Sequence, residues 1–151
     1  HMDPHSTGAV IGLTLDTTRP QLYRALLEGV NYEMRYNLEC LENCGIEVTS
    51  LRAVGGGAKS DLWLQIKADI MGRKIETLEV DEAGTMGTAI LAGVASGIYP
   101  SIKDAVNQLV KVKKVFYPED QANKIYEEQY HKYKRLYPAV KSIYSDNVRE
   151  G

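Results

Sequence analysis

Three consecutive glycines, Gly55-Gly56-Gly57, end a short apolar run and lead into an amphipathic stretch starting at Ser60-Asp61. Residues of these types at this spacing can hold an anion or a nucleotide against bare main chain. No Cβ blocks the approach, and a helix start presents unpaired N–H groups. A turn alone explains the triplet poorly, because consecutive glycines are costly in conformational entropy. Two phosphate cradles are excluded on the letters. A dinucleotide fingerprint needs a third glycine where Ser60 stands. A P-loop needs glycines at the positions of Ala53 and Ala58 ahead of Lys59-Ser60. Elsewhere the chemistry is sparse. Cys40 and Cys44 share one face of a helical stretch. A metal would need two further ligands nearby, and the histidines at 1, 5 and 131 are scattered. The pair reads as reduced helix cysteines, and no metal site or catalytic residue is assigned.

The elements that position the glycines follow from hydrophobic period and punctuation. Gly8–Leu15 is apolar and bounded by Gly8 and Asp16-Thr17-Thr18, which predicts a buried strand. Thr18 is a cap for a long helix with Pro20 in its first turn. Leu22, Leu26, Val30, Met34 and Leu41 keep helical spacing, and Gly45 is the C-terminal stop. Strands are expected over 47–54 and 74–80, with a helix from Asp61 to Met71 between them. A helix rich in small residues is expected from Thr85 to Ile98, where Gly87, Ala89, Ala92, Gly93 and Ala95 allow close backbone approach. Ser101 caps a short helix through Leu109. Residues 111–116 are an edge strand or an extended segment. A polar helix runs from about Glu119 to Tyr137, where Pro138 kinks or ends it, and the chain beyond is expected to fray. Tyr126, Tyr130, Tyr133, Tyr137 and Tyr144 form a packing stripe whose hydroxyls reach water. Alternating strands and helices give an α/β layer pattern.

The 151 residues suffice for one domain with a core. A net charge of -2 supplies no basic footprint for nucleic acid. No apolar run is long enough to span a bilayer and no secretory signal is visible, so a cytoplasmic protein without membrane contact is expected. His1-Met2 reads as an expression scar, residues 3–145 as the domain, and 146–151 as a tail.

Four stretches carry a resemblance. They are DPHSTGAVIGLTLDTTRPQLYRALLEG (Asp3–Gly29), VGGGAKSDLWLQIKADIMG (Val54–Gly72), EAGTMGTAILAGVASGIY (Glu82–Tyr99) and FYPEDQANKIYEEQYHKYKRLYPAV (Phe116–Val140). In this order they resemble the FGGY family of carbohydrate kinases, within the actin-like ATPase superfamily, and most closely its xylulose-phosphorylating members. The second stretch resembles that superfamily's adenosine loop. The resemblance implies an α/β fold. The chain would be part of the second actin-like (ribonuclease H-like) domain, a short mixed β-sheet flanked by helices. It also implies that the domain bearing the catalytic aspartate and both phosphate loops have no counterpart here, as in the last third of such an enzyme. The implied activity is transfer of the ATP γ-phosphoryl group, with Mg²⁺, to a pentulose such as D-xylulose. This chain would supply the adenosine wall: Gly56 and Gly57 flat against the nucleoside and Ser60 near the base, with Lys59 toward solvent. Asn is frequent at the Ser60 position in relatives such as glycerol kinase. Glu28, Gly29 and Asp69 match the family as structural residues, Gly29 in helix packing and the acids in capping or pairing. A homodimer is compatible with the resemblance. The rival readings are an autonomous, non-catalytic binding or structural module and a different actin-like ATPase.

Overall fold

The computed structural model describes residue 3, residues 6–80 and residues 82–146. The leading pair His1-Met2 and residues 147–151 of the expected tail lie outside the described residues. Six helices and three strands are present among the described residues. In chain order they are α1 (Arg19–Asn43), β1 (Ser50–Ala53), α2 (Asp61–Met71), β2 (Lys74–Leu78), α3 (Ala83–Ala95), α4 (Ile102–Leu109), β3 (Val112–Phe116), α5 (Asp120–Tyr133) and α6 (Leu136–Asp146).

The sheet order is β1-β2-β3. β1 lies parallel to β2, with Leu51 opposite Ile75 and Ala53 opposite Thr77. β3 runs antiparallel on the far side of β2, with Phe116 opposite Ile75 and a register irregularity between Thr77 and Leu78. β3 is therefore an edge strand in the sheet. The parallel pair is joined through α2, as the geometry of a parallel connection requires. Leu64 and Ala68 of α2 and Ile75 of β2 are fully buried, packed against Leu51, Ala53 and Phe116. Burial of Leu64 or Ile75 contributes about 1.5–3 kcal/mol each.

Local signals account for the helix ends. At Thr18 the N–H and the hydroxyl both donate to Gln21 Oε1, at 2.8 and 2.9 Å. At the other end of α1, Gly45 adopts φ +83°. Its N–H donates to the Glu42 carbonyl and the Ile46 N–H to the Leu41 carbonyl, a Schellman closure. Ser101 Oγ accepts from the Asp104 N–H at 3.1 Å and caps α4. Asp69 is buried; its Oδ1 accepts from Gln65 Nε2 at 2.9 Å and from the Glu119 N–H at 2.8 Å, tying α2 to the start of α5.

Three expectations are corrected. Gly8–Leu15 is not a strand: Gly12 sits at φ +87°, and no strand of the described residues pairs with the segment. An apolar run without a ladder partner leaves its backbone groups to water, so composition alone does not make a strand. The polar helix stops at Tyr133 rather than Tyr137, and α6 follows where fraying is expected. In a continuous helix the Pro138 ring would collide with the carbonyl four residues back, at Lys134; α5 ends at Tyr133 and the proline sits in the first turn of α6. Four of the five stripe tyrosines donate their hydroxyls to carboxylates. Tyr126 donates to Glu28 at 2.8 Å, Tyr130 to Glu39, Tyr133 to Glu33 at 2.8 Å and Tyr137 to Asp3 at 2.7 Å. Tyr32 of α1 packs on the rings of Tyr126, Tyr130 and Tyr133 at centroid distances of 5.3–6.3 Å. Together with Ile66 and Ile70, the buried members of this group lock α1, α2 and α5 together.

Candidate functional site

β1 ends at Ala53, and the chain turns through Val54 and Gly55 into a single 3₁₀ turn, Gly56–Lys59. The Ala58 N–H closes that turn on the Gly55 carbonyl at 3.0 Å. Ser60 then caps α2, its Oγ accepting from the Trp63 N–H at 3.3 Å. The glycine loop thus lies at the carboxyl end of a parallel strand and at a helix N-terminus. Open α/β sheets hold their ligands on this side. β2, the parallel neighbour, leads at the same end of the sheet into α3, whose first turn carries exposed Gly84 and Thr85.

The three glycines have different reasons to be glycine. Gly55 lies at φ +76°, ψ −162°, a region that a side chain makes strained. A Cβ on Gly57 would stand 3.1 Å from the Trp63 ring, so this residue is shaped by packing. Gly56 has neither constraint: its φ is not positive, and a Cβ there would meet nothing within 4 Å. It is exposed, with open space in front of it. Gly55 and Gly56 both front open space, but of the three only Gly56 is required to be glycine by neither its φ nor a packing contact among the described residues.

Gly56, Gly57 and Ser60 fall within one turn, as the sequence predicts, yet their surroundings differ. Gly57 turns its α-carbon toward Trp63. The Ser60 hydroxyl is engaged by the helix it caps. Gly56 faces outward. Lys59 is exposed. Trp63 is the residue that sequence reasoning missed. Its place at the third position of α2, one turn from the glycines, is the signal that finds it. Its indole N–H is buried and finds no partner among the described residues. The Lys67 ammonium lies 5.0 Å from its ring centroid, and burial holds the Lys67 pKa below its ordinary value. Asp61 in the first turn of α2 pairs with Lys114 of β3 at 2.6 Å.

Of the matched structural residues, Glu28 accepts from Arg24 Nε at 2.7 Å as well as from Tyr126, and Asp69 bridges α2 and α5. Gly29 differs from expectation: a Cβ there meets nothing within 4 Å, so no packing contact among the described residues requires this glycine. Among the described residues no three His, Cys, Asp or Glu side chains gather closely enough to hold a metal ion. No helix among them is long and apolar enough to cross a membrane. The arrangement can offer main-chain surface and a helix start to a flat or anionic ligand.

The chain is similar to known proteins in sequence and in structure. A family model described as the FGGY family of carbohydrate kinases, C-terminal domain, matches residues 1–96. The xylulose kinase of Staphylococcus epidermidis is 34% identical over 146 residues, covering 97% of this chain and 29% of that protein. Among solved structures, the ligand-bound xylulose kinase of Lactobacillus acidophilus superimposes with a TM-score of 0.88 at 25% identity, over 95% of this chain and 29% of that one. The glycerol kinase of Plasmodium falciparum with ADP superimposes with a TM-score of 0.72 at 30% identity, over 85% of this chain and 26% of that one. This chain spans 29% of the length of the xylulose kinase relatives it matches.

Proposed function

The chain belongs to the FGGY family of carbohydrate kinases, and on that footing we propose that residues 3–145 form the adenosine wall of an ATP-dependent sugar kinase. The acceptor proposed is a pentulose such as D-xylulose. The observation that carries the nucleotide reading is the open main chain at Gly56, at the carboxyl end of β1. Support for a pentulose comes from the similar proteins that are xylulose kinases. Glycerol kinases are also among the relatives, so family membership by itself does not select the acceptor.

In this reading the loop holds the nucleoside and other parts of the enzyme hold the phosphates. Gly56 lets the ligand's flat face approach the main chain. Gly57 and Trp63 keep the loop in shape, and Ser60 fixes the start of α2. Transfer of the γ-phosphoryl group to a sugar hydroxyl needs positioning and charge neutralisation on the phosphates. Mg²⁺ would supply part of that neutralisation. The described residues present no ligand cluster for it, so this chain is assigned no metal-bearing step.

The test is a titration of the chain with adenosine and with ATP, following the amide signals of Gly55 to Ser60. Both are expected to bind about equally, in the range of roughly 0.1–10 mM, since one wall of a site leaves much of the ligand wet. ATP binding a hundredfold more tightly than adenosine points to a phosphate site on this chain and overturns the division proposed. Shifts confined to other residues place the nucleoside elsewhere. For the kinase role, this chain is spliced into the Staphylococcus epidermidis enzyme in place of the matched stretch. Retained ATP-dependent phosphorylation by the hybrid supports the adenosine-wall reading, and loss of it in a folded hybrid counts against that reading.

A further inference from the structure

Cys40 and Cys44 are free thiols, and both are exposed. Cys40 lies in the last turn of α1, and Cys44 is the residue that ends it, at φ −86°, ψ 7°. The Cys44 N–H donates to the Cys40 carbonyl at 3.3 Å and to the Leu41 carbonyl at 3.0 Å. The helical turn therefore continues through Cys44, and the two residues share one face of α1. The closure at Gly45 and Ile46 fixes that turn from its far side. Cysteine is ordinarily among the most buried residue types, so a pair kept outside on one face calls for a chemical reason rather than a packing one.

Distance separates the two simple fates of such a pair. Side chains one helical turn apart have Cβ atoms about 5–6 Å apart, whereas a disulfide needs about 3.5–4.5 Å. The pair cannot close on itself while the turn stays helical. A single ion can span the gap, because two sulfurs on opposite sides of one ion, each about 2.3 Å from it as in zinc sites, stand further apart than bonded sulfurs do. Coordination number then selects the ion. Structural zinc takes four ligands, and among the described residues no third His, Cys, Asp or Glu joins the pair. The acids flanking the pair on α1 are held elsewhere: Glu42 pairs with Arg73, and Glu39 accepts from Tyr130 and Lys134. What remains is a site of two thiols, which suits a soft cation satisfied by two thiolates in a line. Cu(I) is such an ion.

We infer that Cys40 and Cys44 form a two-coordinate binding site for Cu(I). On binding, two S–H bonds break and two Cu–S bonds form. Two protons leave to water, and the copper stays Cu(I), so no oxidant or reductant takes part. The first thiolate to bind brings the ion to a second that is already in place on the same turn, so the second bond forms at high effective concentration. Neither residue belongs to the nucleotide site proposed above. α1 enters β1 at Ser50, whereas the glycine loop leaves β1 after Ala53, so the thiols precede the strand and the loop follows it. Copper binding and adenosine binding are therefore separate properties, and either can fail without the other.

The test titrates the reduced chain with Cu(I), under argon in thiol-free buffer with ascorbate keeping the copper reduced. One ion per chain is expected, read as thiolate-to-copper absorption in the ultraviolet, with both cysteines lost together to a thiol-specific dye. Against a chromogenic Cu(I) chelator, the parent should keep its ion at chelator concentrations at least a hundredfold above those that strip Cys40→Ser or Cys44→Ser. Both side chains are exposed, so each variant should melt with the parent. Where a serine variant melts low, the folded parent with its thiols capped by methylthio groups takes its place. Single variants that hold copper as tightly as the parent overturn the inference. So does a parent stripped as readily as they are, which makes the copper an adventitious ion only. Two ions per chain make the thiols independent sites, and one ion per two chains, with a dimer by light scattering, makes the ligands those of two copies; either result overturns the inference as well.

Discussion

Each of the three consecutive glycines is held to its identity by a different force, and substitution separates them. Gly55→Ala places a side chain at φ +76° and should cost about 1–3 kcal/mol of stability. Gly57→Ala forces the Trp63 ring to give way from 3.1 Å, which should lower the melting temperature and change the tryptophan fluorescence. Gly56→Val meets open space, so its cost to folding should be about 0.5 kcal/mol or less, while adenosine shifts disappear. Melts and titrations on the three variants decide between a loop shaped for a ligand and one shaped only for packing. A Gly56→Val chain that melts well below the parent favours packing. At the α1–α5 contact the charges set a pH dependence. The Tyr130 hydroxyl donates to Glu39 and is the main reason that this carboxyl titrates below its ordinary value; partial burial opposes it, and Lys134 at 3.2 Å adds to it. A folded pKa below the unfolded one contributes stability that is present above the unfolded value. That stability is lost as pH falls through the folded value. The parent should therefore lose stability from about pH 4 downward more steeply than Glu39→Gln. Parallel curves for the two in that window would remove Glu39 from the account.

Among the elements, α3 shows how a small-residue helix can mislead. Gly84 and Gly87 meet nothing that a Cβ would touch, whereas a Cβ on Gly93 would lie 2.7 Å from the Tyr99 ring. The Gly93 carbonyl also accepts from the N–H groups of Ile98 and Tyr99, at 2.9 and 3.2 Å, as the chain turns toward α4. Gly93→Ala should cost about 1–3 kcal/mol, and Gly87→Ala should be neutral or slightly stabilising by helix propensity. Equal melts for the two would show that Tyr99 swings away freely. Periodicity and caps make most elements legible in the sequence. Thr18, Gly45 and Ser101 mark their helix ends because each satisfies terminal backbone groups locally. Gly8–Leu15 was not legible, because a strand needs a partner and the letters give only its own apolarity. The break before α6 was legible in type but displaced: proline acts on the carbonyl four residues upstream, so the helix ends before the proline itself. In the site, the sequence shows the loop but not which glycine is free, since φ at Gly55 and the Trp63 contact at Gly57 are tertiary facts.

At the scale of the whole molecule, the chain has one cooperative centre and several open sides. Its core is two clusters that meet along α2, one against the sheet and one against α1 and α5. Leu26, Val30 and Met34 of α1 lie outside both clusters and are exposed, so they gain no burial from them. The same incompleteness bears on activity. Among the described residues no acidic cluster is built for a metal ion, and the assigned loop offers main chain rather than a proton acceptor. Phosphoryl transfer draws its rate from positioning both reactants and from a group that takes the hydroxyl proton, and an adenosine wall alone supplies neither. The isolated chain mixed with ATP, Mg²⁺ and D-xylulose should therefore release ADP no faster than a blank, many orders of magnitude below the ordinary kinase range of about 1–100 s⁻¹. A coupled assay at millimolar nucleotide reads this directly. Turnover within tenfold of that range, retained after repurification and removed by Gly56→Val, would mean that this chain holds a complete active site. The adenosine-wall reading would then be wrong.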